Sequence, residues 1–182
     1  TKTFNMIYYW LNLIYVYLGS KYFWTKIKLD SELTRTRRVS ILDCDSLRFM
    51  ANSKYFYYMD FVRFEVMFRS NLYKKTFKKG IFPILGSQKI IYKKPLKRWT
   101  KFKVTIVLEG WDDKWGYHSH VFKQNKEICA IGYTKFAFWK DKSALHLPSI
   151  FADCGVAKED FDPPSEILNL FKNDNEIIKS YK

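Results

Sequence analysis

Cysteine is scarce in this sequence, and the few cysteines that occur stand far apart. They are Cys44, Cys129 and Cys154, and no two of them form a CxxC pair. An odd number of widely spaced thiols cannot all be joined in disulfides, and it offers no cysteine set for a structural zinc ion. We therefore expect free thiols, an intracellular, reducing compartment and no metal site.

Acidic residues are also few relative to basic ones. The 182 residues include 18 Asp and Glu but 32 Lys and Arg, which gives a formal net charge of +14. This excess favours an anionic partner, which could be a nucleic acid, an anionic membrane surface or a phosphate-bearing small molecule. No RNP1-like, zinc-finger or helix-turn-helix motif accompanies the basic residues. Binding of nucleic acid is therefore supported by charge alone, and we disfavour it.

Charge is missing altogether from one stretch near the start. Residues 3–20 read TFNMIYYWLNLIYVYLGS, a length at the edge of what spans a bilayer. Asn5, Asn12 and the tyrosines favour the water interface over the hydrocarbon centre, and no small-residue cleavage site of a secretory signal follows. We therefore expect residues 1–30 to form an apolar, aromatic helix that is membrane-associated or docked on the domain, in preference to a spanning helix.

Residues 31–143 show the pattern of one α+β domain, without internal repeats. Val39, Ile41 and Leu42 predict a first strand. Residues 52–70 predict a long helix whose apolar side chains cover almost its whole circumference, so other elements must wrap around it.

Four strand signals follow this helix without a second long helix between them. They lie at 81–93, 99–111, 115–123 and 127–139. Pro83 and Gly86 interrupt the first of them, which predicts a bend or bulge near its start. We expect the four strands to form a curled antiparallel meander. Residues 144–182 then predict a C-terminal loop and a helix from Ser165 that packs on the outside.

A candidate site lies where the predicted first strand leads into the long helix. Asp43 and Asp45 precede Asn52 and Ser53, two residue types that favour the N-cap position. The first backbone N–H groups of a helix lack partners within it and carry the positive end of its dipole, so they can polarise a carbonyl. A carboxylate beside them suits acyl transfer, and ordinary turn residues are the alternative.

Two histidines, His118 and His120, alternate along one predicted strand and so share a face. This spacing could indicate a metal pair, but no third ligand stands at a useful distance in the sequence. We therefore favour ordinary strand-face histidines over a metal site.

Several ordered segments resemble a known family. Residues 43–65, DCDSLRFMANSKYFYYMDFVRFE, resemble the signature D-x-D-x-x-x-H-x-N-N-x-x-Y of hotdog-fold acyl-CoA thioesterases of the 4-hydroxybenzoyl-CoA thioesterase type. The segments KIIYKKPL, EGWDDKWGYHSHVF and EICAIGYTKFAFW are similar to its eukaryotic branch called thioesterase superfamily member six. The resemblance implies a hotdog fold, in which an antiparallel sheet wraps around one long central helix, here with extra N-terminal and C-terminal helices. A hydrophobic N-terminal anchor is also typical of that branch.

The resemblance implies roles for residues of the candidate site. Asp45 matches the catalytic carboxylate and would act as general base or nucleophile, while the helix-start amides near Asn52 and Ser53 would polarise the carbonyl. Two positions depart from the motif, because Phe49 replaces its histidine and Ala51 the first of its paired asparagines. Phe49 and Tyr55 are candidates for substrate binding at motif positions, although a tyrosine on a helix face equally suits core packing. Lys93 and Lys94 belong to a basic run at a strand connection, which could meet the phosphates of coenzyme A or be a solvated hairpin end.

These matches imply hydrolysis of a fatty or aryl acyl-CoA, with coenzyme A as part of the substrate and no separate cofactor. Hotdog sites lie between protomers, so the resemblance implies a homodimer, and assembly into a tetramer stays open. Because Phe49 and Ala51 depart from the motif, the alternative is a catalytically inactive acyl-chain or lipid-binding protein at a membrane.

Overall fold

One long helix lies against a curled antiparallel sheet in the computed structural model, which describes residues 2–45, 48–156 and 162–181, with side chains described from residue 6 onward. The helices are α1 (Lys2–Leu18), α2 (Asn52–Arg69), α3 (Leu72–Thr76), α4 (Leu147–Asp153), α5 (Ser165–Phe171) and α6 (Asp174–Ser180). The strands are β1 (Leu33–Arg38), β2 (Phe82–Tyr92), β3 (Lys101–Trp111), β4 (Gly116–Gln124), β5 (Glu127–Lys140) and β6 (Ser143–Ala144). Short helical turns cover Gly19–Phe23, Ile41–Asp43 and Phe77–Lys79.

The long helix α2 forms where its sequence predicted it. Tyr55, Met59, Val62 and Val66 are between 0% and 4% exposed, and their spacing puts them on one face. Met59 packs so closely on β5 that a Cβ on Gly132 would lie 2.6 Å from its sulfur. The prediction of a helix buried by surrounding elements is confirmed.

The sheet has the strand order β1-β3-β4-β5-β2, with β6 paired to β5. The strands β3, β4 and β5 form a meander, but β2 pairs with β5 at the far edge. The prediction that all four strands follow one another in a meander was therefore wrong for β2. The predicted bulge lies between Leu85 and Ser87, and at Gly86 the ring of Trp115 comes within 2.4 Å of where a Cβ would stand.

The first strand lies earlier in the chain than predicted. Val39, Ile41 and Leu42 were expected to form it, but β1 is Leu33–Arg38 and Ile41–Asp43 is a short 3₁₀ turn. The strand's sequence, LTRTRR, hides its pattern because an inward position is occupied by Arg35, which binds Glu65 of α2. A charged residue that is buried by pairing does not show in an apolar alternation.

The N-terminal helix α1 docks on α2. The ring of Tyr9 contacts Tyr57 and Phe61 at 5.4 and 5.3 Å, and Val16 is fully buried. The outer face keeps an apolar stripe that is 43% to 61% exposed and consists of Ile7, Trp10, Leu11, Ile14 and Leu18. Within the described ranges, no helix is both long and apolar enough to cross a membrane. Association of the stripe with a membrane surface stays a prediction.

The C-terminal elements pack on the body of the domain. Phe151 of α4 contacts Trp111 edge-to-face at 4.8 Å, and Phe171 of α5 covers Tyr117 on the outer face of the sheet. The predicted C-terminal helix is two short helices, because α5 ends at Phe171 and α6 begins at Asp174.

Candidate active site

Asp43, the first acid of the motif, is part of the core. It is fully buried, and its carboxylate accepts hydrogen bonds from the Tyr8 hydroxyl at 3.1 Å and the Tyr58 hydroxyl at 2.9 Å. The backbone N–H and hydroxyl of Ser40 each donate to the same carboxylate at 2.8 Å. These bonds tie together α1, α2 and the turn before the site, so Asp43 supports the site without facing solvent.

Asp45, the second acid, lies two residues later on the solvent-exposed side of the loop. Its backbone N–H donates to the Phe49 carbonyl at 3.0 Å, and its carbonyl accepts from the Arg48 N–H at 3.4 Å. Residues 46–47, between these partners, lie outside the described residues. These backbone bonds fix Asp45 beside Phe49 and Arg48, a few residues before the start of α2.

The start of α2 lies beside this loop. The helix begins at Asn52 with Ala51 as its N-cap residue, and both Asn52 and Ser53 are exposed in the first turn. Ala51 has no side-chain group that could make a capping hydrogen bond. The expectation that Asn52 or Ser53 occupies the cap was therefore wrong, since the Ala51 N–H is drawn to the Asp43 carbonyl at 2.8 Å and places the cap one residue earlier. The Ala51 side chain offers no acceptor to the first-turn amides, and the Lys54 N–H donates to the Ala51 carbonyl at 2.9 Å.

A basic loop, residues 93–100, borders the same site. Met50 donates to the Leu96 carbonyl at 2.8 Å, and Arg98 donates to the Arg48 carbonyl at 3.0 Å. The exposed side chains of Lys93 and Lys94 stand at the start of this loop, where Lys94 pairs with Glu127 at 2.5 Å. A further cation of this region is Arg48, which the sequence analysis missed. It lies between Asp45 and the start of α2, and nothing in the local sequence indicates a functional role for it.

The structure places the two predicted aromatic residues differently. Phe49 is half-buried, and its backbone forms an isolated antiparallel β-bridge with Lys97 of the basic loop. Tyr55 is only 2% exposed, its hydroxyl accepts from the Leu96 N–H at 3.3 Å, and burial raises its pKa to about 12. Tyr55 therefore anchors the basic loop on α2 and contributes no exposed surface of its own.

The two histidines lie away from this loop, beneath α2. The rings of His118 and His120 are 6.1 Å apart, and the latter is fully buried. Burial is the main cause that lowers the pKa of each, to about 3 for His118. In the described part of the chain, no three His, Cys, Asp or Glu side chains cluster to hold a metal ion.

Comparison with known proteins gives consistent results. A family model described as the thioesterase-like superfamily matches residues 39–168. Protein THEM6 of Xenopus laevis is 33% identical over 85 residues, a match that covers 47% of this chain and 41% of that protein. The chain thus matches about two fifths of the length of this curated relative.

Solved structures share the fold at low sequence identity. DHNA-CoA thioesterase from Staphylococcus aureus has a TM-score of 0.61 and 17% identity, covering 79% of this chain and 95% of its own. Slr0204, a 1,4-dihydroxy-2-naphthoyl-CoA thioesterase from Synechocystis, has a TM-score of 0.60 and 12% identity, covering 68% and 95%. The predicted hotdog fold is confirmed by these likenesses.

Proposed function

Because this chain belongs to the thioesterase-like superfamily, we propose that it hydrolyses the thioester of a fatty or aryl acyl-CoA. The observation that carries the proposal is the geometry at the start of α2. An exposed acid, Asp45, lies on the loop that enters a helix whose N-cap residue, Ala51, has no capping side chain. A base and a set of oriented N–H donors are the two parts that acyl transfer needs.

In this mechanism the carbonyl oxygen of the thioester accepts hydrogen bonds from the amides around Asn52 and Ser53. Asp45 takes a proton from a water molecule as the water oxygen attacks the carbonyl carbon. The tetrahedral intermediate collapses with cleavage of the C–S bond, and the coenzyme A sulfur takes up the proton. The products are the free acid and coenzyme A. Lys93, Lys94 and Arg98 on the neighbouring loop supply positive charge for the phosphates of coenzyme A.

Replacement of Asp45 tests the catalytic proposal. We expect Asp45→Asn to lower kcat at least about 100-fold with a small change in KM, because the amide cannot accept the proton from water. The measurement is chromatography of released coenzyme A from benzoyl-, octanoyl- and palmitoyl-CoA. Asp153→Asn changes an exposed acid of α4 and is expected to keep the wild-type rate. Equal turnover by the wild type and Asp45→Asn would remove the catalytic role of Asp45.

The alternative is a non-catalytic acyl-chain or lipid-binding protein at a membrane. One observation favours it, the exposed apolar stripe on α1, since a surface-lying amphipathic helix buries such a face in the membrane interface. The same assay separates the two proposals. Binding of palmitoyl-CoA without release of coenzyme A supports the alternative, and turnover that depends on Asp45 eliminates it.

A homodimer formed through β2 is part of the proposal. The two edges of the sheet differ: β1 has six residues and three arginines, which discourage pairing, whereas β2 has 11 residues. Its exposed apolar side chains are Phe82, Ile84, Leu85, Ile91 and Tyr92. Tyr92, at the end of β2, touches Tyr55 at 5.2 Å, so a partner along this edge lies next to the start of α2.

We expect the wild type to have twice the chain mass of 21.9 kDa in solution. The double variant Ile84→Lys, Ile91→Lys places like charges along the β2 edge, so it is expected to be a monomer with reduced thioesterase activity. Thr36→Lys makes a matched change on β1 and should leave the mass unchanged. Analytical ultracentrifugation measures the mass in solution of the wild type and of both variants. A wild-type monomer, or a dimer that survives the double variant, would contradict pairing through β2.

A further inference from the structure

A groove with a strongly basic wall lies on the outer face of the sheet. Its volume is about 560 Å³, and residues in or beside β1, β3, β4 and the turn after β4 line it. Four of these residues are exposed lysines, namely Lys101, Lys103, Lys123 and Lys126. We call it the lysine groove. Because β1 and β2 form the two edges of the sheet, the groove lies far from the β2 edge.

The sheet places like charges directly opposite each other in this groove. Lys103 of β3 is the antiparallel partner of Lys123 of β4, and two residues earlier Lys101 is the partner of Arg38 of β1. Like charges at such cross-strand positions destabilise a sheet. Among the described residues, none of the four lysines of the groove forms an ion pair. An anion bound between Lys103 and Lys123 would remove their repulsion.

The rest of the wall suits phosphate oxygens better than an apolar ligand. Thr34, Thr36 and Thr105 line the groove, and the hydroxyl oxygens of Thr34 and Thr105 lie 2.7 Å apart. One acid, Glu32, stands in the wall with the four lysines, so positive charge is in excess there. The aromatic residue of the wall, Phe102, is only 1% exposed. Ammonium and hydroxyl groups around a cavity of small-molecule size can donate several hydrogen bonds to phosphate groups.

Larger partners fit the groove less well than a small anion does. A single-stranded nucleic acid stacks its bases on exposed aromatic rings, and Phe102 offers no such surface. A membrane that contacts the apolar stripe of α1 lies on the other side of the sheet, because α1 packs on α2 and α2 packs on the inner face. A second copy of the chain, placed here about a twofold axis, would bring the lysines against the same lysines.

We propose that the lysine groove binds a soluble small molecule that has two or more phosphate groups, and that the anion lies between Lys103 and Lys123. The groove belongs to the outer face of the sheet, whereas Asp45 and the start of α2 belong to the side on which α2 packs. The inference therefore goes beyond the proposed hydrolysis and does not depend on it.

Calorimetric titration of the full chain with inorganic tripolyphosphate tests the proposal without any thioester. We expect the double variant Lys103→Gln, Lys123→Gln to bind this anion at least about tenfold more weakly than the wild type, because it loses two of the four ammonium groups. Lys74→Gln, Lys140→Gln removes the same charge from exposed lysines elsewhere and should keep the wild-type affinity. Lys93→Gln, Lys94→Gln should also keep it, although it changes the residues proposed to meet coenzyme A.

Urea unfolding at low salt gives a second measurement. Without the anion, Lys103→Gln should unfold at a higher urea concentration than the wild type, because the repulsion with Lys123 is gone. Lys140→Gln is the matched strand control, since the residue opposite Lys140 is the uncharged Ser143. Tripolyphosphate should raise the unfolding midpoint of the wild type and leave that of the double variant Lys103→Gln, Lys123→Gln almost unchanged.

Four results would overturn the proposal. The first is no binding by the wild type at tripolyphosphate concentrations up to about 1 mM. The second is an equal loss of affinity in the Lys74→Gln, Lys140→Gln variant, which would mean attraction by net charge alone. The third is an equal loss in the Lys93→Gln, Lys94→Gln variant, which would place the anion at the acyl-CoA site. The fourth is tighter binding of an oligo(dT) strand or of phosphatidylserine vesicles through the same two lysines, which would identify a macromolecular partner or a membrane instead. Because no step uses an acyl-CoA, a failure here is distinct from a failure of the hydrolase proposal.

Discussion

Glu65→Ala is expected to lower the free energy of unfolding by about 3–5 kcal/mol, the cost typical of breaking a buried ion pair from one side. Glu65 is 1% exposed and binds two arginines at once. Arg35 of β1 donates from Nε at 2.7 and 2.8 Å, and Arg69 donates from Nη1 at 2.7 Å. Removing the carboxylate leaves two guanidinium groups close together without their shared counter-ion.

The same cluster connects three parts of the chain, which explains why a large effect is expected. Arg69 also donates to the Thr25 carbonyl at 2.8 Å, and Arg35 lies over the ring of Trp24 at 4.1 Å. The segment that follows α1, the edge strand β1 and the helix α2 are therefore held at one point. Loss of Glu65 is expected to loosen all three.

Urea unfolding at neutral pH measures this prediction, with the midpoint and slope analysed together. Glu127→Ala is the matched control, because Glu127 pairs with Lys94 at the surface, where the two side chains are 64% and 56% exposed. An exposed ion pair contributes about 0–1 kcal/mol to stability, so the free energy of unfolding of this variant should stay near that of the wild type. If Glu65→Ala is no less stable than Glu127→Ala, the buried cluster does not hold these elements together.

Periodicity predicted the helix α2 and the strands β2 to β5 to within a few residues, because their apolar faces repeat at the spacing of their own structure. The position of β2 in the sheet could not be predicted in this way. A strand's alternation records which side is buried, but it does not record which neighbour pairs with it. The pairing of β2 with β5 depends on contacts between distant parts of the chain.

Charged residues that are buried in pairs explain the missed strand β1. Its sequence is polar and charged and shows no apolar alternation, yet Arg35 points inward to Glu65 of α2. The partner lies 30 positions away, so the sequence contains no local signal of the pair.

The site acids show a similar limit. Asp43 and Asp45 are equivalent in local sequence, but the first is buried by hydroxyl groups of Tyr8 and Tyr58 and the second is exposed. Only the family motif distinguished them beforehand. The structure brings Asp45, Phe49, the helix start and the basic loop together, whereas it places Tyr55 in the core, and the catalytic roles stay predictions.

The two buried histidines predict a strong loss of stability in mild acid. Burial lowers the pKa of His118 to about 3 and that of His120 well below its usual value, and the charge of Arg63 adds to both shifts. The unfolded chain takes up protons on both near pH 6.5, but the folded chain does not, so the free energy of unfolding falls as the pH drops below this value. Each histidine is expected to contribute a loss of about 2 kcal/mol between pH 7 and pH 5.

Comparison of variants isolates this contribution from the titration of carboxylates. Asp60, for example, acts in the opposite direction, because burial raises its pKa and favours the folded state in acid. That contribution is common to the wild type and to His120→Phe, so the difference between their pH profiles belongs to His120. We expect urea unfolding of the variant to lose about 2 kcal/mol less than the wild type between pH 7 and pH 5. His146→Phe, which changes an exposed histidine, should show the same change in the free energy of unfolding between pH 7 and pH 5 as the wild type. Parallel profiles for His120→Phe and the wild type would mean that the folded protein accepts a proton on this ring, which requires an acceptor near it or an opening of α2 from the sheet.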